Sequence, residues 1–523
     1  MTGQSLPSSP GVFTRASSGL VRSISTTDAI YYGLNAITIA YVTFTMFFWA
    51  QYPGASYEWS TALTTVGAIG VGIVYALLAA VYPRSGGEYV FLSRIVRPEV
   101  GFVISFVQAF WYTFYFGING AFFSIYGLSP LFGTLGIQLH NSTLTDIGTF
   151  FSSQVGIFVG GTVVIALVAV MVFRGMGAYF RFQRWGTLIG LTSVVITLIV
   201  LALGASGALH FQSSFDAVAG AGAYAKLTAG VSVPATTLPA TLNFMVWPAF
   251  SILFSVNMVS FSGEIKNVRR GPLLGIVGAM VLSGIIFIAF QVFARAAMGD
   301  AFLIGSATTD KFPLGVAPFV NSMASILGGN WVLTIVINLW VILIIPYALG
   351  SNVIYGSRAL LAWSLDGVAP AKLGEVSERY HSPVVAIGVL FVLAEVWLAI
   401  YAFTTLVAIL SGLLTFSIAF LVVSLTGLVF PFVKREVFER SPAAIRVAGI
   451  PLMTIAAVVG VVFTAFLLYR SFVDETFGAN AQISLEMTVA AFVLSLVWFY
   501  IARAYRIRRG VAVDKRFQEI PVE

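Results

Sequence analysis

The sequence predicts an all-α polytopic membrane protein with twelve transmembrane helices. Three observations carry this. First, 58% of the 523 residues are apolar and only 9% are charged, whereas soluble domains carry roughly 25% charged residues. Second, twelve segments each supply the run of about 20 apolar residues that a helix needs to cross a bilayer. Third, Lys and Arg alternate with those segments so regularly that one side of the membrane receives nearly all of them.

In chain order, residues 1–27 are polar and rich in Ser, Thr and Pro. They lack the continuous apolar core of a signal peptide and read as a cytoplasmic tail. The spans follow at 28–50, 60–82, 100–127, 155–173, 183–204, 243–262, 272–298, 330–357, 383–402, 405–431, 449–470 and 484–505. The ninth and tenth are separated at the Tyr401–Thr405 turn region, because Glu395 is the one charge between residues 383 and 431. A second cytoplasmic tail closes the chain at 506–523.

All but four of the 28 Lys and Arg residues fall in the tails and the even-numbered loops; the exceptions are Lys226, Arg295, Lys311 and Arg470. The positive-inside rule then places both termini in the cytoplasm of a multi-pass protein of the cell membrane. Topology also accounts for the net charge of +7 without a nucleic-acid partner. The opposite loops, 128–154, 205–242 and 299–329, are rich in Gly, Ser and Thr; the last contains KFPLGVAPFVNSMASILGG, amphipathic enough for a short helix over the outer mouth.

Several chemistries are excluded. No cysteine is present, so there is no disulfide or thiol chemistry. His140, His210 and His381 all fall in loops, and no nucleophile–base pair or metal-ligand set lies at membrane depth. Neither an enzyme nor a cofactor or metal is expected. The partners expected are the lipid bilayer and a small molecule, with monomer and homodimer both open.

The stretch Trp247 to Gly271 organises the chain. It begins apolar, turns polar at Ser255, Asn257, Ser260 and Ser262, and ends in charge at Glu264, Lys266, Arg269 and Arg270. Polar or broken helix at membrane depth implies a cavity or a protein neighbour. Two further signatures share its charged side. Tyr82 to Arg94 reads YPRSGGEYVFLSR, where Pro83 and Gly86-Gly87 end a helix and permit a sharp turn. Ser357 to Ala386 begins SRALLAWSLDGVAP.

Together these resemble the amino acid–polyamine–organocation (APC) superfamily of permeases. Pro83 to Tyr89 is similar to its P-x-[SA]-G-G-x-Y motif. Gly263 to Asn267 is similar to its G-E-x-K-N-P, with Val268 in place of the proline. Arg358 through Asp366-Gly367 and Pro370 resembles its R-x-L-x-x-x-x-x-D-G-x-x-P. The likeness is collinear from residue 28 to about 431. It implies two inverted five-helix repeats (spans 1–5 and 6–10, residues 28–431), followed by peripheral spans 11 and 12 within 432–505. It further implies an amino acid transporter in which spans 1 and 6 unwind near the midplane.

The family spacing places the break of span 6 at Phe254-Ser255-Val256-Asn257, with Phe250 one turn earlier as an aromatic gate. Span 1 would break at Asn35-Ala36-Ile37-Thr38. Exposed backbone groups and half-helix dipoles at such breaks bind carboxylate and ammonium. Tyr112 on span 3 completes the expected substrate-binding set, and Gln108, Asn119, Asn338, Ser411 and Thr415 are further polar candidates. Glu264 and Arg358 are the candidate cytoplasmic gate, while Arg84, Glu88, Arg269 and Asp366 fit solvated surface charges. Glu395, inside span 9, fits an interhelix structural role.

Absences narrow the cargo. Spans 1, 3, 6, 8 and 10 hold no ionisable acid or base at mid-depth. A polyamine or cationic amino acid would be matched by an acidic side chain, so a neutral amino acid fits best. Carriage of the cationic cargo and a non-transporting amino acid sensor are the alternatives. No lysine lies between Trp185 and Gly204, and no Ser or Thr between Ile335 and Gly350. Neither common coupling device of the fold is visible, which leaves exchange, uniport or an unrecognised proton path.

Overall fold

A computed structural model describes residues 20–45, 50–406, 412–476, 478–510 and 513–517. Eleven helices within them are long and apolar enough to cross a membrane: span 2 (Tyr57–Val81), span 3 (Pro98–Gln138), span 4 (Gln154–Phe173), span 5 (Met176–Ala205), span 6 (Leu238–Glu264), span 7 (Gly271–Met298), span 8 (Trp331–Asp366), span 9 (Val384–Phe403), span 10 (Leu413–Val433), span 11 (Leu452–Val473) and span 12 (Gln482–Arg508). Span 1 is missing from that set because it is interrupted. Its α-helix Thr26–Ile37 stops at Thr38, a β-branched residue held at φ 55°, and short helices Ile39–Tyr41 and Val42–Thr45 carry on. A non-glycine residue in left-handed conformation is uncommon and costs energy that its surroundings must supply.

Local chemistry sets the ends. Ser25 caps span 1 through a capping box with Asp28. Ser56, Ser153 and Asn330 cap spans 2, 4 and 8. Pro98 opens span 3 at a position where its missing N–H costs nothing. Gly367, at φ 83°, ends span 8.

Several boundaries differ from the hydropathy reading. Span 8 runs 36 residues, about 54 Å at 1.5 Å per residue. It therefore carries the whole RALLAWSLD motif on helix beyond the bilayer core. Span 10 starts at Leu413, not 405, and Ser411 lies outside the described residues. The segment expected as a loop from 128 to 154 is mostly helical: span 3 continues to Gln138 and Ser142–Ser152 forms another helix. Helices Phe211–Ala219 and Ala223–Thr228 interrupt the second expected loop and Asp300–Thr308 the third, in which Val320–Gly328 forms the short helix expected there. Hydropathy alone cannot tell a surface helix from a loop.

Burial orders the bundle. Spans 3 and 6 are the most enclosed, 83% each, and span 12 the least, 22%. Spans 9, 11 and 12 expose Val392, Val396, Val462 and Ile501, the apolar surface a lipid environment accepts. Span 1 packs against spans 6 and 7. There Gly33 lies against the backbone of Gly275, leaving no space for a Cβ. Glu395 accepts a hydrogen bond from Thr162 of span 4 at 2.7 Å, the interhelix role expected of it.

Candidate substrate site

Span 6 does not unwind into extended chain at Phe254–Asn257. Its α-helix Val246–Ile252 tightens into 3₁₀ turns from Leu253 to Glu264, and the helical dihedrals fail at Phe261 (φ −123°, ψ 26°). Long 3₁₀ runs are uncommon and mark strain or function. The two irregular segments meet: the Ser251 hydroxyl donates to the Ile37 carbonyl, where the span 1 helix ends.

Beside that junction lies a cavity of about 60 Å³, room for a handful of waters. Span 1 contributes Ala36, Ile37 and Thr38, and span 6 contributes Phe250 and Phe254. Span 3 adds Tyr115 and Asn119; span 8 adds Ser351 and Asn352. No charged side chain lines it among the described residues. Its floor is aromatic: the Phe254 ring stands 5.2 Å from Phe250, 5.3 Å from Phe416, 5.7 Å from Tyr112 and 5.8 Å from Tyr115, mostly edge to face.

Five of the ten candidate binding residues therefore line the cavity, and five stand away from it. Asn35 is buried and donates to Thr187 of span 5 at 2.7 Å, which is helix packing. Ser255 donates back to the Ile252 carbonyl, and Val256 is core. Tyr112 and Asn257 do not line the cavity and are buried facing each other. Neither the Tyr112 hydroxyl nor either amide atom of Asn257 closes a hydrogen bond. Of the further candidates, Thr415 is occupied by the indole N–H of Trp111 at 3.0 Å, and Asn338 by Asn321 at 2.7 Å. Ser351 and Asn352 escaped the sequence reading. The stretch without Ser or Thr on span 8 stops at Gly350, one residue short of them.

The face bearing the three motifs is closed. Arg358 binds Glu264 with two bonds, Nε to Oε1 at 2.9 Å and Nη2 to Oε2 at 3.2 Å, both side chains buried. The extended chain after Glu264 pairs with the N-terminal segment: Ile24 N–H donates to Glu264, and Lys266 N–H to Ile24. Gly86, at φ 116°, donates its N–H to the Ser260 carbonyl at 2.8 Å, tying the PRSGGEY turn to span 6. Asp366 receives Tyr89 at 2.8 Å and Arg94 at 2.9 Å. Asp366 and Glu88 are 1% exposed, so the reading of both as solvated surface charges is corrected. Arg269 is exposed and Arg84 half-buried. The helical motifs that bring these acids to the surface in sequence fold back under spans 3, 6 and 8.

A helical membrane bundle with an interrupted span 1, an overwound span 6, an uncharged cavity at their junction and one sealed end has the architecture of a membrane transporter. Comparison with known proteins names the family. The amino acid permease family matches residues 24–498, so this chain belongs to the amino acid permeases of the APC superfamily. It is a transporter of amino acids, not an enzyme. A branched-chain amino acid permease, BcaP of Lactococcus lactis subsp. cremoris (strain MG1363), is 24% identical over 418 residues, which cover 79% of this chain and 82% of that protein.

Proposed function

We propose that this permease carries neutral amino acids with apolar, branched side chains across the cell membrane by alternating access. The observation that carries this reading is the cavity: aromatic and aliphatic walls, a few hydroxyls and amides, and no charge. An apolar side chain is accommodated by burial against Phe250, Phe254 and Tyr115. A cationic one would meet no counter-charge and would leave an unpaired charge in an enclosed site. The backbone at the span 1 break serves the amino acid's own charges. No side chain caps the N-terminus of Ile39–Tyr41, which leaves N–H groups for the carboxylate. Carbonyls at the end of Thr26–Ile37 accept from the ammonium. The relative named as a branched-chain permease supports the same class.

In this reading the sealed face is cytoplasmic, as the distribution of Lys and Arg implies. Spans 1, 2, 6 and 7 rock against the remainder, and the Glu264–Arg358 pair parts when the cytoplasmic side opens. The test is counterflow in proteoliposomes preloaded with unlabelled leucine. Labelled leucine, isoleucine and valine should enter faster than lysine or putrescine. Entry of lysine with exclusion of leucine would overturn the substrate class. Binding of leucine without flux would indicate a sensor instead.

A further inference from the structure

Among the described residues, the buried carboxyl groups Glu264 and Asp366 of the sealed face each have a cation, and Glu88 has none. Glu264 is neutralised by Arg358. Glu88, the first residue of the helix Glu88–Ile95 between spans 2 and 3, is equally buried, and its bond comes from a neutral group, the Tyr355 hydroxyl of span 8. The titratable groups facing it are all tyrosines: Tyr75 of span 2, Tyr112 of span 3 and Tyr355. Span 10, which also packs there, has no titratable residue between Leu413 and Val433. The nearest charges are spoken for. Arg358 and Glu264 hold each other, and Arg94, on the same short helix, holds Asp366.

Around Glu88 lies a compartment of polar groups without hydrogen bonds. The Tyr75 and Tyr112 hydroxyls, Gln108 Nε2, both amide atoms of Asn257 and the Ser260 hydroxyl are all buried and close no hydrogen bond of normal geometry, with Tyr75 facing Gln108 and Tyr112 facing Asn257. Native interiors leave few such groups, and a cluster of them marks a place where water or a ligand enters. The compartment has a link to the cavity. Asn352 lines the cavity with its Nδ2 unpaired, and Tyr355 lies one helical turn further along span 8, bonded to Glu88. Glu88 itself does not line the substrate cavity.

We propose that Glu88 is the proton carrier of this permease, and that each amino acid enters with one proton. The inference rests on the transport reading above and adds its coupling. With the cytoplasmic face sealed, Glu88 has no cation, so the stable buried form is the neutral acid. A proton reaches the carboxylate from the outer cavity through the compartment around Tyr355 and forms an O–H bond. When the cytoplasmic face opens, water reaches the carboxyl, that O–H bond breaks and the proton leaves to the cytoplasm. The empty carrier then reseals with the carboxylate held by the Tyr355 hydroxyl, and the next proton reaches it from the outer cavity. No oxidant, reductant or other reactant is needed. Burial pushes the Glu88 carboxyl up to about 7, with the Tyr355 bond pulling the other way, so the exchange falls near physiological pH.

Leucine flux into proteoliposomes tests this, with counterflow and gradient-driven accumulation measured on the same preparation. Wild-type protein should concentrate leucine under an inside-alkaline gradient, up to about tenfold per pH unit for one proton per substrate. Glu88→Gln should retain counterflow and lose that accumulation. Accumulation by Glu88→Gln equal to wild type, or wild-type flux indifferent to the gradient, would overturn the proposal while leaving the permease function standing. Absence of leucine counterflow in the wild type would sink the substrate reading first, and this inference with it. Tyr355→Phe provides a second test if Glu88→Gln fails to fold. Removing a bond to the ionised form should move the midpoint of the pH profile of uptake to higher pH, and an unmoved midpoint would count against Glu88.

Discussion

Arg358 and Glu264 join spans 8 and 6 through a two-bonded ion pair from which solvent is excluded, with side chains 0% and 2% exposed. Such a pair is weak evidence of stability, because desolvating two charges offsets their attraction. Breaking it from one side is another matter. Arg358→Ala leaves a buried, uncompensated carboxylate and should disfavour the sealed state by about 3–5 kcal/mol. The natural chain has no cysteine, so a single cysteine introduced at Ser260 reports access directly. Its labelling from the sealed face should rise steeply in Arg358→Ala and less in Arg358→Lys, which keeps the charge but not the fork.

Phe254 forms the floor of the cavity and touches four aromatic rings. Phe254→Ala should weaken leucine binding by about 1–3 kcal/mol, read as a rise in KM of about fivefold to 150-fold with protein yield close to wild type. Unchanged KM would place the substrate elsewhere.

Asn257 makes a different prediction. Both its amide atoms are buried without partners, and each such group costs about 1–3 kcal/mol. Asn257→Leu should therefore raise the melting temperature while reducing leucine flux. A variant less stable than wild type would show that the amide is satisfied in the membrane and that its role is packing.

The approach of spans 1 and 7 predicts a cost for the smallest side chain. A Cβ at Gly33 would overlap the Gly275 carbonyl oxygen and meet Ala279 Cβ at 2.7 Å. Gly33→Ala should destabilise by about 1–3 kcal/mol through overpacking, seen as a lower melting temperature in detergent. Gly278, helical with open space around it, is the control, and Gly278→Ala should be neutral to stabilising by up to about 1 kcal/mol.

Glu88 ties the sealed state to pH. Its carboxyl is raised from 4.5 to about 7 when sealed, so the sealed state binds a proton that a solvated Glu88 would release. The resulting preference for the sealed state is full below about pH 4.5 and is lost as pH rises through about 7. It amounts to roughly 3 kcal/mol. Labelling of the Ser260 cysteine should increase across that window, and Glu88→Gln should flatten the profile.

Composition and charge alternation sufficed for the membrane class and the span count, because a bilayer demands about 20 apolar residues per crossing and sorts Lys and Arg by side. The motif stretches Pro83–Tyr89, Gly263–Asn267 and Arg358–Pro370 carried the family, because each concentrates glycine, proline and charge where the backbone must turn. The span 1 break is faintly written, in a Thr at φ 55° with a single Gly five residues before it. What the sequence could not decide is which polar residues share a space. Asn35 and Thr187 are 152 positions apart and bonded, while Asn257 is three residues from Phe254 yet does not line the cavity that Phe254 lines. In the sequence Glu264 reads as half of a gate and Glu88 as a surface acid. Only the packing of spans 3, 6 and 8 buries both and supplies a cation to one of them, because burial and pairing depend on neighbours brought together from distant parts of the chain.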